Sequence, residues 1–456
     1  MSEVILINPP SLWPLSDYLE PEKIAAFPLG LALLASSLGD AGFAVSVIDC
    51  VAQDVRPSQL HARLEQLEEP ALVGITVPFA TVYWNAVEAS RIVRRVFPKA
   101  TIVFGGNHVT YLPETALKDS AADLICLNEG DFAVVEIANV VIRRQGTLDT
   151  IAGLVVKAAD GHSTYRTNPR SLIEPLDRIP YPERTLFDRE AYTEDAWSSV
   201  IVSRGCFGKC GFCSTMKFNG RKVRAMSFDR ILAECDRALE GSETNYVNFY
   251  DDLFTHSMPW VEKFAGEKIR QEKNFTWGCM ARIDTVNEAL LRRMADAGCR
   301  SIFFGVESVQ RESLSILGKR YDFAKASNII RFAESVGIAC TASFVIGLPG
   351  DSPSVEGDIM RFLEVSKPSA LAIGMLTLFP GTDFATRPSD YGLRVLDEDW
   401  THYGSEFPVT ESVTFSAEEQ FEAFLRIIRS FRRTKVPDTL ELITGECSRA
   451  GSAPAI

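Results

Sequence analysis

Three cysteines constrain residues 203–215, SRGCFGKCGFCST, more tightly than any other stretch of the chain is constrained. Cys206, Cys210 and Cys213 are separated by three and then two residues. Three thiolates at this spacing can hold three irons of a four-iron, four-sulfur cluster, which leaves the fourth iron without a protein ligand. Such an iron can bind a small molecule and pass it one electron. Glycines at 205, 208 and 211 let the loop wrap closely, and an apolar strand over 197–202 is expected to feed into it. Structural zinc instead wants four ligands in short paired spacings, whereas the next cysteine is Cys235. Chance clustering of core cysteines is the bland alternative. A disulfide framework does not suit a long chain that opens on MSEVILINPP, which reads as no export signal.

Composition narrows the partners. A formal charge of -13 and no basic patch argue against nucleic acid. No apolar run reaches the roughly 18–20 residues of a membrane span. Ten cysteines without export imply a reducing cytoplasm, and an exposed cluster there implies anaerobic or protected conditions.

From the start of the chain, strands are expected at 3–8, 44–49, 72–77, 101–105 and 123–127. Helices are expected at 28–41, around His61, and at 84–96, 113–118 and 132–143. This alternation predicts an α/β doubly wound parallel sheet with ligands at the carboxyl ends of its strands. Those ends carry Asn8, Thr76, Phe79, Gly105, Gly106, His108, Glu129 and Gly130, the candidate ligand-binding residues. Residues 155–166 read as a hairpin with His162 in its turn, and the proline-rich 167–196 as a linker. A second alternation of six βα-type units follows over 200–379. Strands are expected at 246–250, 276–280, 301–304, 339–346 and 370–378; Ser227 is the expected cap of a helix over 227–240. Helix 416–433 opens on a Ser416–Glu419 capping box, with Phe421, Phe424, Ile427 and Ile428 on one face.

The C-x3-C-x2-C spacing resembles the signature of the radical S-adenosylmethionine (SAM) superfamily. GGNHVTYLPE and the later NEGD resemble the cobalamin-binding domain found ahead of many radical SAM domains, and LDRIPYPERTLFD resembles the connector between the two. The chain thus resembles the cobalamin-dependent branch. The resemblance implies a Rossmann-like, cobalamin-binding sheet over 1–150, a hairpin and linker over 151–196, and a partial (β/α)6 barrel over 197–383. A small, mainly helical substrate-side region over 384–445 and a disordered tail over 446–456 complete the expected division.

The resemblance also implies roles. Cys206, Cys210 and Cys213 hold a [4Fe-4S] cluster whose open iron chelates SAM and cleaves it to a 5′-deoxyadenosyl radical. Asp251 or Asp252 meets the amino group of SAM, Arg282 its carboxylate and Glu307 its ribose. Ile346, in VIGLPGDS, meets adenine. There is no D-x-H-x-x-G for cobalt ligation, and His108 is expected to line the corrin pocket. Phe207 and Phe212 are expected to dehydrate the cluster, or simply to pack. Cys279 is expected near the barrel interior, as a hydrogen donor or as inert core. The implied activity is methylation of an unactivated carbon of a small molecule or natural-product precursor, with an electron donor such as flavodoxin or ferredoxin. Ring formation with the same cofactors is the alternative. A methylthiotransferase would need three N-terminal cysteines, and only Cys50 and Cys126 precede the linker. A non-enzymatic cobalamin sensor would have no use for the strand-end Asp, Arg and Glu.

Overall fold

The computed structural model describes residues 3–10, 26–158, 160–161 and 163–435, with no side chains for 432–435. The expected turn at His162 and the expected tail over 446–456 lie outside the described residues.

Seven strands form the first sheet: β1 (Val4–Asn8), β2 (Val45–Asp49), β3 (Leu72–Thr76), β4 (Thr101–Gly105), β5 (Leu124–Cys126), β6 (Leu154–Lys157) and β7 (Thr164–Arg166). Their order is β2-β1-β3-β4-β5-β6-β7. The first five are parallel, and the β6–β7 hairpin adds to the edge of β5 antiparallel to it. The central strands are apolar throughout because helices cover both faces. Helices Leu29–Asp40 and Ala133–Val141 pack on one face, and Pro57–Leu64 and Tyr83–Val96 on the other. The strand order reverses at β1 and β3, which opens a crevice at their carboxyl ends.

The stretch expected as a strand over 197–202 is split. Thr193 caps a short helix, Glu194–Trp197, and only β8 (Ser199–Val200) is extended. β9 (Ser203–Arg204) then leaves the sheet to pair with β10 (Arg224–Ala225). The second sheet continues with β11 (Tyr246–Phe249), β12 (Thr276–Arg282), β13 (Cys299–Glu307), β14 (Ala339–Ile346) and β15 (Ala370–Met375). It runs β15-β14-β13-β12-β11-β8, all parallel, as an open barrel wrapped by helices. Phe249, Phe254, Phe264 and Trp277 fill the layer between strands and helices with edge-to-face rings. Cys279 joins this outer layer beside Cys299, not the barrel interior, because it alternates with the inward-facing Gly278 and Met280. Across Gly278 the Tyr246 and Ser301 hydroxyls hydrogen-bond at 2.6 Å, and a side chain at Gly278 would strike both.

Beyond β15, the 3-10 turn Trp400–His402 packs on the turn Ala80–Val82 of the first unit. Ser405 O accepts from Met375 N at 2.8 Å. The final helix, Ala417–Lys435, opens on the expected capping box, with Ser416 and Glu419 exchanging hydrogen bonds. Phe424 and Ile427 are buried, but Phe421 stays 38% exposed. Ser227 does precede helix Phe228–Leu239, yet its hydroxyl donates to Asp177 instead of capping. Among the described residues no helix is long and apolar enough to cross a membrane.

Candidate active site

The β9–β10 ribbon throws the cysteine loop between the two sheets. Gly205 turns the chain at φ +105, where a side chain would stand 2.6 Å from Lys222 O. Cys206 N donates to Gly220 O at 3.1 Å, and Cys213 N to Cys210 O at 3.0 Å. Gly208 N donates to Cys206 Sγ at 3.4 Å. The sulfurs of Cys206 and Cys210 both approach Gly208, while Phe384 packs against Gly211. None of the three is in a disulfide, all are partly buried, and burial raises each thiol. Among the described residues no three His, Cys, Asp or Glu side chains converge tightly enough to share one metal ion. Cluster ligands bind different irons and need no such convergence.

The strand ends of the barrel surround this loop. Asp251 is fully buried behind it: its Oδ1 accepts from Val202 N at 3.1 Å, from Ser203 N, and from Ser203 Oγ at 2.5 Å. Burial pushes its carboxyl up to about 7. Asp252 is the partner that faces space, accepting from Gly205 N at 3.0 Å and Asn219 Nδ2 at 2.9 Å. Arg282 Nη1 lies 3.7 Å from Cys210 Sγ, and its other nitrogens make a two-pronged pair with Asp284 at 2.8 and 2.7 Å. Glu307 sits at φ +62 and accepts from Lys319 at 3.0 Å. The Ile346 side chain turns away into the strand–helix core, and its carbonyl is taken by Leu376 N at 2.8 Å. Sequence reasoning missed Lys319, which lies in a turn with no motif around it.

Two cavities open at the first sheet. One, of about 270 Å3, runs from the sheet face under Leu31 and Leu34 to the cysteine-loop side at Asp252. Thr76, Gly105, Gly106, Glu129 and Gly130 all line it. The other, of about 250 Å3, is shared by Phe79, His108, Phe212 and Cys213. Phe79 is 65% exposed. His108 is buried between Tyr83 and Trp400, both ring nitrogens lack a partner, and burial lowers it to about 4. Asn8 is brought to neither; its amide donates to Asp49 at 2.9 Å.

Residues 200–363 match the radical SAM superfamily, and residues 25–138 match the B12 binding domain. The chain belongs to the cobalamin-dependent radical SAM family. An uncharacterized methyltransferase of Pyrococcus horikoshii is 28% identical over 90% of this chain and 88% of its own. The cytidylyl-2-hydroxyethylphosphonate methyltransferase of Streptomyces wedmorensis is 26% identical over 76% and 73%. The radical SAM methyltransferase TsrM of Kitasatospora setae, solved with tryptophan and a SAM analogue, shares the fold. Its TM-score is 0.75 at 19% identity, over 93% of this chain and 88% of that one. The chain is an enzyme of this family, and its cofactors are a [4Fe-4S] cluster, SAM and cobalamin.

This chain's residues fit those groups. Gly106 takes φ +116 with Val77 O only 2.7 Å from where a side chain would begin, so this turn admits only glycine and leaves bare backbone at the cavity wall. The long cavity is mostly apolar, with few polar groups at its mouth. That mouth is held by a buried ion network. Glu129 accepts from Arg224 at 2.9 Å, from Arg204 at 3.1 Å and from Ile173 N at 2.7 Å. Burial alone would raise the neighbouring Asp131, but Arg204 more than offsets this and holds it below the usual carboxylate range.

Proposed function

We propose that this enzyme methylates an unactivated carbon of a small molecule, with cluster and SAM at the barrel mouth and cobalamin on the first sheet. The observation that carries the reading is the shared cavity. Cys213 of the cysteine loop and His108 of the β4 end line one apolar space of about 250 Å3, so two cofactors held by the two units would meet there. When bound, the cluster and SAM supply one-electron chemistry and cobalamin supplies methyl transfer.

The protein's own part is to bind, orient and keep water out. Cys206, Cys210 and Cys213 are the proposed cluster ligands. Asp252, rather than Asp251, is the proposed acceptor for the SAM ammonium, since Asp251 is sealed behind Ser203. Arg282 and Glu307 are the proposed partners of the SAM carboxylate and ribose. Phe79, Phe212, Phe379 and Pro380 give the shared cavity an apolar wall that excludes water from reactive species. His108, neutral and enclosed, shapes the floor on the cobalamin side. A one-electron carrier such as flavodoxin or ferredoxin and a reducing cytoplasm complete the proposal.

The test is anaerobic turnover of reconstituted protein with cobalamin, reductant, SAM and candidate substrates, read by mass spectrometry. Formation of both S-adenosylhomocysteine and 5′-deoxyadenosine, with a methyl gained by substrate, supports the reading. Deoxyadenosine and a changed substrate with no methyl gained would replace it with ring formation or rearrangement.

A further inference from the structure

β13 does not end cleanly. Its register with β14 shifts between Gly305 and Glu307, a bulge that puts Glu307 in the left-handed region at φ +62. A bulge strips carbonyls of their ladder partners. Here two side chains from one turn bind carbonyls at the bulge: Lys319 Nζ donates to Gly305 O at 2.5 Å, and Tyr321 Oη to Val306 O at 2.6 Å. Lys319 also donates to Glu307 Oε1 at 3.0 Å, and its side chain is only 1% exposed. The same turn abuts the cysteine loop, where a side chain at Gly318 would lie 3.8 Å from Lys209 Cβ, next to Cys210. On the neighbouring strand Arg282 pairs in register with Gly305, and its Nη1 lies 3.7 Å from Cys210 Sγ, so Lys319 and Arg282 bring two largely buried cations to the cysteine-loop side of β13.

We infer that Lys319 is a positioning residue of the cluster site: it fixes the strained end of β13 and sets a buried positive charge toward Cys210. An extra electron on a cluster is favoured by nearby positive charge and disfavoured by negative charge. Lys319 therefore adds positive charge beside the cysteine loop, and Glu307, its partner at 3.0 Å, offsets part of it. This rests on Cys206, Cys210 and Cys213 being the cluster ligands, which iron and sulfide content after reconstitution tests separately.

The experiment is a redox titration of the reconstituted full chain, followed by electron paramagnetic resonance of the reduced cluster, without substrate. Lys319→Met is expected to lower the equilibrium constant for one-electron reduction about tenfold, or about 59 mV. Lys319→Arg is expected to restore most of it, and Glu307→Gln to shift it the opposite way. Should Lys319→Met fail to retain a full cluster, the Glu307→Gln and Lys319→Arg titrations decide. An unchanged potential in Glu307→Gln, or shifts of the same sign in Glu307→Gln and Lys319→Met, would overturn the inference.

Discussion

Arg204 grips Asp131 through two parallel hydrogen bonds of 2.8 and 2.9 Å. The arginine stands two residues before Cys206; the aspartate ends the NEGD turn that follows β5 of the other sheet. Both side chains are largely buried, at 14% and 6% exposure. This pair, with Glu129 and Arg224, fastens the cysteine loop to the cobalamin-side unit.

Breaking a buried pair from one side leaves the other charge stranded. Arg204→Ala should therefore cost about 3–5 kcal/mol of stability, measured by urea denaturation of the apo protein at neutral pH. A loss under about 1 kcal/mol would mean the network does not hold the two units together.

Asp251 gives a pH signature. Its folded value of about 7 lies above the unfolded value of about 3.9. Its contribution is therefore full below the unfolded value and is lost as pH rises through about 7. Asp251→Asn should lose less stability than wild type between about pH 4 and 7, by at most about 1.4 kcal/mol per pH unit. Parallel curves for the two proteins would contradict this.

Asp252 and Asp251 separate by binding. Asp252→Asn should weaken SAM binding to the cluster-loaded protein about tenfold, the size of one charge-assisted hydrogen bond. Asp251→Asn should leave affinity within about threefold if the cluster is retained. Equilibrium dialysis with labelled SAM reads both, and the reverse order would assign the contact to Asp251.

Gly105 tests the long cavity apart from folding. A side chain there would have its nearest neighbour, Cys126 O, at 3.7 Å, an ordinary contact, and strands accept β-branched residues. Gly105→Val should fold with a melting point close to wild type yet fail to retain cobalamin through desalting, as read by its visible spectrum. Undiminished retention would place the cofactor elsewhere.

The alternation of apolar strands and amphipathic helices made both sheets legible, because parallel strands buried on two faces leave continuous apolar runs. The cysteine loop was legible from spacing alone. What the pattern hides is direction. Asp251 and Asp252 are adjacent and chemically alike, and only the turn beyond β11 sends one behind Ser203 and the other toward space. Cys279 is expected inside the barrel from its place on the third strand, and Ile346 at adenine from the resemblance of VIGLPGDS, yet alternation turns both outward. The strand expected before Cys206 was broken by a Thr193 cap whose helix competes with the apolar run. Lys319 comes from a turn, where no periodicity marks a residue that reaches back 14 positions to Gly305.

Trp400 lies 5.0 Å from the His108 ring, edge to face, and Tyr111 of the first unit fills the space left by Gly381 beyond the last barrel strand. The first unit and the segment beyond the barrel therefore pack together beside the cavity that His108 and Phe379 line. A chimera that borrowed only the first unit, or only the closing segment, from a relative would inherit a mismatched seam beside the cavity shared by His108 and Cys213. Substrate range in such enzymes should be exchanged by grafting the β3 and β4 end loops together with the segment around Trp400, as a matched set.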